Sequence, residues 1–154
     1  MNMLSQGDAF DDFNIPLSII KTSLFGETNL AENYARITPF AWAALILGTI
    51  LVILAAFATV YVTVKKLRKK EDTVESIYWF LSWIVPVVFL VHFSFKAPYF
   101  SSQDFRYIQY VIVIEGMFLG LFSKEGKKRE QFIACLLALF CLSTSAVYIL
   151  LGKP

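Results

Sequence analysis

One uninterrupted apolar stretch decides the fold class: residues 39–64 read PFAWAALILGTILVILAAFATVYVTV. None of these residues is Asp, Glu, Lys, Arg or His. A helix that crosses a bilayer needs about 20 consecutive apolar residues, so this stretch is long enough to cross with some tilt. Pro39 lies at its start, where a helix tolerates proline because the N–H groups of the first turn have no partner in the helix. The stretch therefore predicts a membrane-spanning helix.

Three further apolar runs follow, and the sequence predicts an all-α polytopic membrane protein with four transmembrane helices. The chain is 57% hydrophobic with a mean hydropathy of +0.61, and a soluble domain of 154 residues could not bury so much apolar surface. Helices are predicted because lipid cannot satisfy the open edge of a sheet. The predicted spans are residues 39–64, 76–95, 107–122 and 131–151. They lie in a predicted membrane domain over residues 37–154, which follows a polar segment over residues 1–36.

Basic residues are concentrated in two of the predicted loops. Nine of the fourteen Lys and Arg residues follow the first span or separate the third from the fourth: Lys65, Lys66, Arg68, Lys69, Lys70, Lys124, Lys127, Lys128 and Arg129. By the positive-inside rule both loops are cytoplasmic. The N-terminus, the loop over residues 96–106 and the C-terminus are then predicted to be extracytoplasmic. Residues 1–36 lack the features of a secretory signal, so they cross either as a short tail together with the first helix or, more simply, behind a preceding helix.

The loop between the second and third predicted spans combines acidic, basic and aromatic groups at a membrane surface. Residues 96–107 read KAPYFSSQDFRY. Arg106 abuts the third span on the side where positive charge is disfavoured. Its guanidinium could hold a phosphate or a carboxylate through two parallel hydrogen bonds, and aromatic neighbours would exclude water from that pairing. The loop is therefore the first candidate for a functional site.

The same residues also fit a purely structural alternative. Lys96 and Arg106 would extend to lipid headgroups, and Tyr107 would anchor the helix at the interface. Asp104 would cap the third helix, since Asp is a favoured N-cap residue. His92, about one helical turn before Lys96, fits an interfacial histidine better than a general base. The residues alone leave both interpretations open.

Glu115 is unusual because it lies near the middle of the third predicted span. A carboxylate in lipid is costly and usually faces protein or water. The fourth span places three hydroxyl residues at about the same depth: Ser143, Thr144 and Ser145. We predict that one of these hydroxyls hydrogen-bonds Glu115 or that Glu115 is protonated, and the functional alternative is a proton or cation site. Gly116 and Gly120 form a GxxxG pair, which predicts close helix packing.

The sequence predicts no metal site, because it has no His and Cys spacing typical of one. Cys135 and Cys141 both lie in the last apolar run. Their separation places them on different faces of a helix, which argues against a mutual disulfide. We expect them to be small buried apolar side chains.

Two segments resemble parts of a known family. The sequence FKAPYFSSQDFRYI, residues 95–108, resembles the loop-to-helix junction late in bacterial integral-membrane glycosyltransferases of the GT-C class, which are related to protein mannosyltransferases and aminoarabinose transferases. In that family an aromatic or proline-rich approach precedes an Asp/Asn-Phe-Arg-Tyr core, which matches residues 104–107. The stretch IKTSLFGE, residues 20–27, is similar to the segment that these enzymes carry ahead of their last helices. The resemblance covers these two short patches, with a compatible topology elsewhere.

The resemblance implies a transferase that takes a sugar from a polyprenyl-phosphate donor on the outer face of the bacterial cytoplasmic membrane. The residues expected to bind the donor phosphate are Arg106, Lys96, Asp104 and Tyr107, with His92, Gln103 and Glu115 as further candidates. The implied partners are membrane lipid and the polyprenyl-phosphate sugar, and no nucleic acid. No cofactor is required, although a divalent metal could stabilise the leaving phosphate.

The full enzymes of that family have about a dozen spans, and an acidic residue in their first outer loop acts as the general base on the acceptor. This chain lacks that half. We therefore expect it to be a C-terminal segment or subunit that works beside a missing N-terminal transmembrane portion and does not catalyse transfer alone. The alternative is a free-standing four-helix membrane protein, either an accessory subunit or a small transporter that uses Glu115.

Overall fold

The computed structural model describes residues 36–96 and 108–151, and every regular element in these two ranges is an α-helix. The predicted all-α fold is confirmed for this part of the chain. The four helices are α1 (Thr38–Lys69), α2 (Thr73–Lys96), α3 (Val111–Ser123) and α4 (Lys127–Leu151). The upstream segment over residues 20–27 and the loop core over residues 104–107 lie outside the described residues.

Three of these helices, α1, α2 and α4, are long and apolar enough to cross a membrane. The remaining helix, α3, has 13 residues. At 1.5 Å per residue it is about 20 Å long, whereas the hydrocarbon core of a bilayer is about 30 Å thick. The third span was predicted from residue 107, but a turn precedes the helix, in which the N–H of Val111 donates to the carbonyl of Ile108 (2.8 Å). The third apolar run is therefore a shorter helix than predicted.

The central element of the bundle is α1, which contacts each of the other three helices. Its buried positions recur three and four residues apart, so they form one stripe along the helix. The stripe consists of Ala41, Ala44, Gly48, Leu51, Ala55, Ala58 and Val62. Most of these side chains are small, which lets neighbouring helices approach closely, as helices in lipid commonly do.

The close packing predicted at Gly116 and Gly120 is absent from the described part of the chain. Both glycines are exposed, and a Cβ added at either would meet no described atom within 4 Å. The physical reason is the orientation of α3, which directs its large apolar side chains into the core instead. Phe118, only 2% exposed, lies in the same core cluster as Ala55 and Ala58 of α1. The small residues that permit close approach are thus on α1.

Two tight turns reverse the chain at one end of the bundle, and we call this end, with the adjoining helix ends, the basic end (residues 65–73 and 123–130). Lys65 to Lys69, predicted to lie in a loop, are part of α1, because the helix continues beyond its apolar stretch. Lys70, at the end of α1, has a φ of 56°, and the N–H of Glu71 donates to the carbonyl of Lys66 (3.0 Å), as in a Schellman motif. The last turns of α1 lie beside the turn between α3 and α4, where Nζ of Lys65 lies 2.6 Å from Oε1 of Glu125. We call the other end, where α2 ends and α3 begins, the loop end.

Large apolar side chains cover the outside of the bundle. Ile53 of α1, Phe89 of α2, Val113 of α3 and Leu142 of α4 are each at least 65% exposed. Water would penalise this surface, whereas lipid tails would not. The exposed surface and the three long apolar helices together indicate a membrane protein.

Candidate functional site

Glu115 faces the protein interior and is hydrogen-bonded to a neighbouring helix. Its Oε1 accepts a hydrogen bond from Nε1 of Trp83 on α2, at 2.9 Å. Trp83 is buried, so its indole N–H requires an acceptor inside the bundle. The carboxyl group in turn gains a partner at a depth where water is scarce. Glu115 thus follows the general rule that a carboxyl group within an apolar span faces protein or water.

Of the two alternatives predicted for Glu115, a hydrogen bond from a hydroxyl of α4 is wrong, and a protonated carboxyl group stays a prediction. Ser143 and Thr144 donate their hydroxyl hydrogens to carbonyl oxygens of their own helix, those of Leu139 (2.8 Å) and Phe140 (2.9 Å). Such bonds to the residue four positions back are common for Ser and Thr inside helices. Ser145 is exposed on α4. The hydroxyl residues are therefore occupied locally or turned away, and the indole of α2 provides the donor instead.

Glu115 also lines a cavity of about 410 Å³ between α1, α3 and α4. This volume falls in the range of small-molecule sites. The wall is mostly apolar, and its polar side chains are Glu115, Thr144 and Tyr148; the other lining residues are Gly48, Leu51, Val52, Ala55, Ile112, Gly116, Leu119, Leu137 and Phe140. A carboxyl group in such a cavity can take up and release a proton or bind a cation.

The loop end carries two of the residues predicted for phosphate binding. Lys96 is the last residue of α2 and is exposed, and His92 is exposed one turn earlier on the same helix. Residues four apart share a helix face, so these two side chains are neighbours. The other predicted residues of this site, Arg106, Asp104, Tyr107 and Gln103, lie outside the described residues.

An apolar groove of about 440 Å³ lies beside this loop end. Four residues of α2 line it together with Ile108, which directly follows the loop core: Pro86, Phe89, Leu90 and Phe93. Ile108 itself is 6% exposed, so the chain re-enters the packed bundle immediately after the loop. The groove is thus continuous with the junction that the sequence singled out.

A cluster at the basic end was missed by the sequence reasoning. Glu125 accepts from Lys65 Nζ (2.6 Å), from Arg129 Nη1 (2.9 Å) and from the hydroxyl of Tyr61 (3.2 Å). The hydrogen bond from Lys65, more than any other contact, lowers the pKa of Glu125. The guanidinium of Arg129 also lies over the ring of Phe122, 4.8 Å from its centroid. Only the pairing of Glu125 with Arg129, four residues apart, could have been inferred from the sequence.

The two cysteines differ in part from the prediction. Cys135 and Cys141 are both free, as expected from their separation, but both are exposed rather than buried. The reason is that α4 buries few positions, among them Ile133, Leu136 and Val147, and turns its other faces outward. Within residues 36–96 and 108–151 no three His, Cys, Asp or Glu side chains are grouped so that they could hold a metal ion.

Comparisons of the chain with protein-family models, with curated proteins and with solved structures find no match.

Proposed function

We propose that this chain is the C-terminal membrane segment, or a subunit, of a glycosyltransferase that moves a sugar from a polyprenyl-phosphate donor on the outer face of the bacterial cytoplasmic membrane. The observation that carries the proposal is the Asp-Phe-Arg-Tyr core, residues 104–107, which the turn at residues 108–110 joins to the apolar helix α3. It is supported by the buried Ile108 that follows the core. The second similar patch, residues 20–27, adds to it.

In this proposal the donor phosphate binds to Arg106, whose two parallel N–H groups match a phosphate. Lys96 adds a second positive charge from the exposed end of α2. Asp104 and Tyr107 orient the guanidinium, and Gln103 lies next to Asp104 in the chain. The polyprenyl tail would lie in the apolar groove along α2 that begins at Ile108. Phosphate and tail would thus meet at one place.

The orientation in the membrane is part of the same proposal. Both basic turns would face the cytoplasm, and the loop end would face outward together with both termini. The common location of the two basic turns at one end of the bundle supports this orientation. The fourth crossing would consist of α3, extended by the turn at residues 108–110.

A binding experiment tests the phosphate site. The purified full chain in lipid nanodiscs is titrated with a fluorescent polyprenyl phosphate and with the matching polyprenol, which lacks the phosphate. We expect Arg106→Gln to weaken binding of the phosphate about ten-fold or more, the effect of losing a charged hydrogen bond, and Arg106→Lys to restore it only in part. Lys128→Gln, an exposed change at the basic end, is the control. Equal binding of polyprenol and polyprenyl phosphate would contradict the proposal.

A transfer assay tests the enzymatic part. The chain is combined with the in-frame or neighbouring-gene product that supplies further helices and an outer loop with acidic residues. We expect sugar transfer only from the combination, and loss of transfer with Arg106→Ala. Unchanged transfer by the Arg106→Ala combination would remove this residue from the site.

A second candidate function is favoured by the cavity at Glu115. Glu115 faces an open cleft between α1, α3 and α4, and ionisable groups within membrane spans often mark proton and cation pathways. In this alternative the chain is a free-standing small transporter. Vesicles that contain the protein and a pH-sensitive dye inside would then show proton or cation flux, and Glu115→Gln would abolish it. A proton and cation flux no greater than that of protein-free vesicles would exclude this candidate.

A further inference from the structure

We propose that the protein binds an anionic membrane phospholipid in a groove on α1 at the basic end. The groove has a volume of about 580 Å³, and α1 alone lines it: Phe57, Val60, Tyr61, Val64, Lys65, Arg68 and Lys69. Its apolar residues precede its basic residues along the helix. This order matches a phospholipid, whose acyl chains lie deeper in the membrane than its phosphate.

The floor of the groove is suited to an acyl chain. Phe57, Val60 and Val64 are each at least 40% exposed, and their spacing places them on one face of the helix. The ring of Phe57 is held in place by contacts with Tyr61 (6.0 Å between centroids) and Phe122 (5.8 Å). The floor is therefore apolar, open to lipid and supported from behind by α3.

The rim of the groove has an excess of positive charge. Lys65 and Arg129 share one carboxylate, that of Glu125. Lys69 approaches Glu71 only to 3.9 Å. Arg68 has no acidic partner within the described part of the chain, and it is exposed. Its planar guanidinium is free to bind a phosphate through two hydrogen bonds.

Glu125 contributes to the site by holding Lys65. The 2.6 Å bond to Glu125 keeps the ammonium group of Lys65 beside the ring of Tyr61, 5.9 Å from its centroid. The fixed ammonium group of Lys65 and the exposed guanidinium of Arg68 give the headgroup two contacts of different kinds. Basic pockets next to transmembrane helices recognise anionic headgroups in this way.

The charge of the rim also argues against a second copy of the chain as the occupant. A two-fold interface through this groove would place the basic rims of two copies against each other. Like charges brought together at an interface are unfavourable. An anionic phospholipid complements both the rim and the floor.

Spin-labelled lipids test the site. The full chain is reconstituted in phosphatidylcholine vesicles that contain traces of spin-labelled phosphatidylglycerol or spin-labelled phosphatidylcholine, and the immobilised fraction of each is measured. We expect a preference for phosphatidylglycerol over phosphatidylcholine of roughly five-fold for each uncompensated basic residue at the rim of the groove. The variant Arg68→Gln/Lys69→Gln should bring the preference close to one. Lys127→Gln/Lys128→Gln removes two exposed charges at the same end, outside the groove, and should keep it.

A second pair of variants tests the floor with the rim charges unchanged. Val60→Trp should fill the groove and reduce the preference, whereas Ile53→Trp, an exposed position of α1 outside the groove, should not. Circular dichroism of each variant verifies that the helices are retained, and its elution from a size-exclusion column verifies that it does not aggregate. Equal losses in both charge variants would indicate diffuse attraction and overturn the proposal. A preference for phosphatidylglycerol that Val60→Trp leaves unchanged would also overturn the proposal. So would a dimer of the native chain that Val60→Trp dissociates.

Discussion

The indole nitrogen of Trp83 lies 2.9 Å from Oε1 of Glu115, and this hydrogen bond joins α2 to α3 inside the bundle. It satisfies two groups that lipid could not satisfy, an indole N–H and a carboxyl oxygen. Trp83 otherwise lies in a cluster of buried apolar side chains from all four helices. The pair is therefore a directional link between α2 and α3 within an apolar core.

Trp83→Phe should lower the free energy of unfolding in detergent micelles by about 1–2 kcal/mol, because a buried hydrogen bond is lost and Glu115 keeps no indole donor. Trp79→Phe is the matched control: Trp79 donates to Glu75 at 3.3 Å on the exposed surface of α2. Its loss should cost about 0.5 kcal/mol or less. Equal costs for the two variants would show that the bond to Glu115 does not stabilise the fold.

The buried stripe of α1 makes a second prediction. Ala58 is fully buried, so Ala58→Leu should force α1 away from its neighbours and cost about 1–3 kcal/mol of unfolding free energy. Ala138→Leu makes the same chemical change at an exposed position of α4 and should be nearly neutral. Unfolding curves in mixed micelles measure both. A neutral Ala58→Leu would mean that the stripe does not limit the approach of the helices.

The glycines of α3 should respond in the opposite direction. A Cβ at Gly120 meets no described atom, so Gly120→Ala should raise the free energy of unfolding of the isolated chain by about 0.5–1 kcal/mol through helix propensity alone. The same unfolding assay measures the gain. A loss of stability would contradict the prediction and would indicate that another surface packs on this face of α3.

The helices could be predicted from the sequence because lipid leaves few alternatives for apolar runs of such length. Their packing could not. The apolar residues of α1 and α3 look alike in the sequence, and only the structure distinguishes Ala58, which is buried, from Gly120, which is exposed. The order of uncharged residues along an apolar helix does not show which face contacts protein and which contacts lipid, because both environments are apolar.

The candidate sites show the same limit. The cost of a carboxylate in lipid was enough to single out Glu115 as a residue that needs a partner or a proton. The identity of its donor was not predictable, because the choice between Trp83 and Thr144 depends on the rotation of α3. The ion pair between Lys65 and Glu125 joins residues that are 60 positions apart, so no local pattern indicates it. Local charge spacing reveals only the bond from Arg129.

The cluster around Glu125 makes the last prediction, a dependence of stability on pH. Lys65 above all holds the pKa of Glu125 below its ordinary value of 4.5, so the folded protein keeps this carboxylate ionised where the unfolded chain would begin to protonate. The stabilisation is therefore complete above about pH 4.5 and is lost as the pH falls through the lowered pKa.

Unfolding of the native chain and of Glu125→Gln is compared from neutral pH down to about pH 3. The native chain should be the more stable at neutral pH, and the difference should shrink in acid. Glu130→Gln, an exposed change in the first turn of α4, is the control for the loss of one acidic side chain at this end of the bundle. The difference in unfolding free energy between the native chain and Glu125→Gln could instead stay constant down to pH 3. That result would show that ionisation of Glu125 does not stabilise its contacts with α1 and α4.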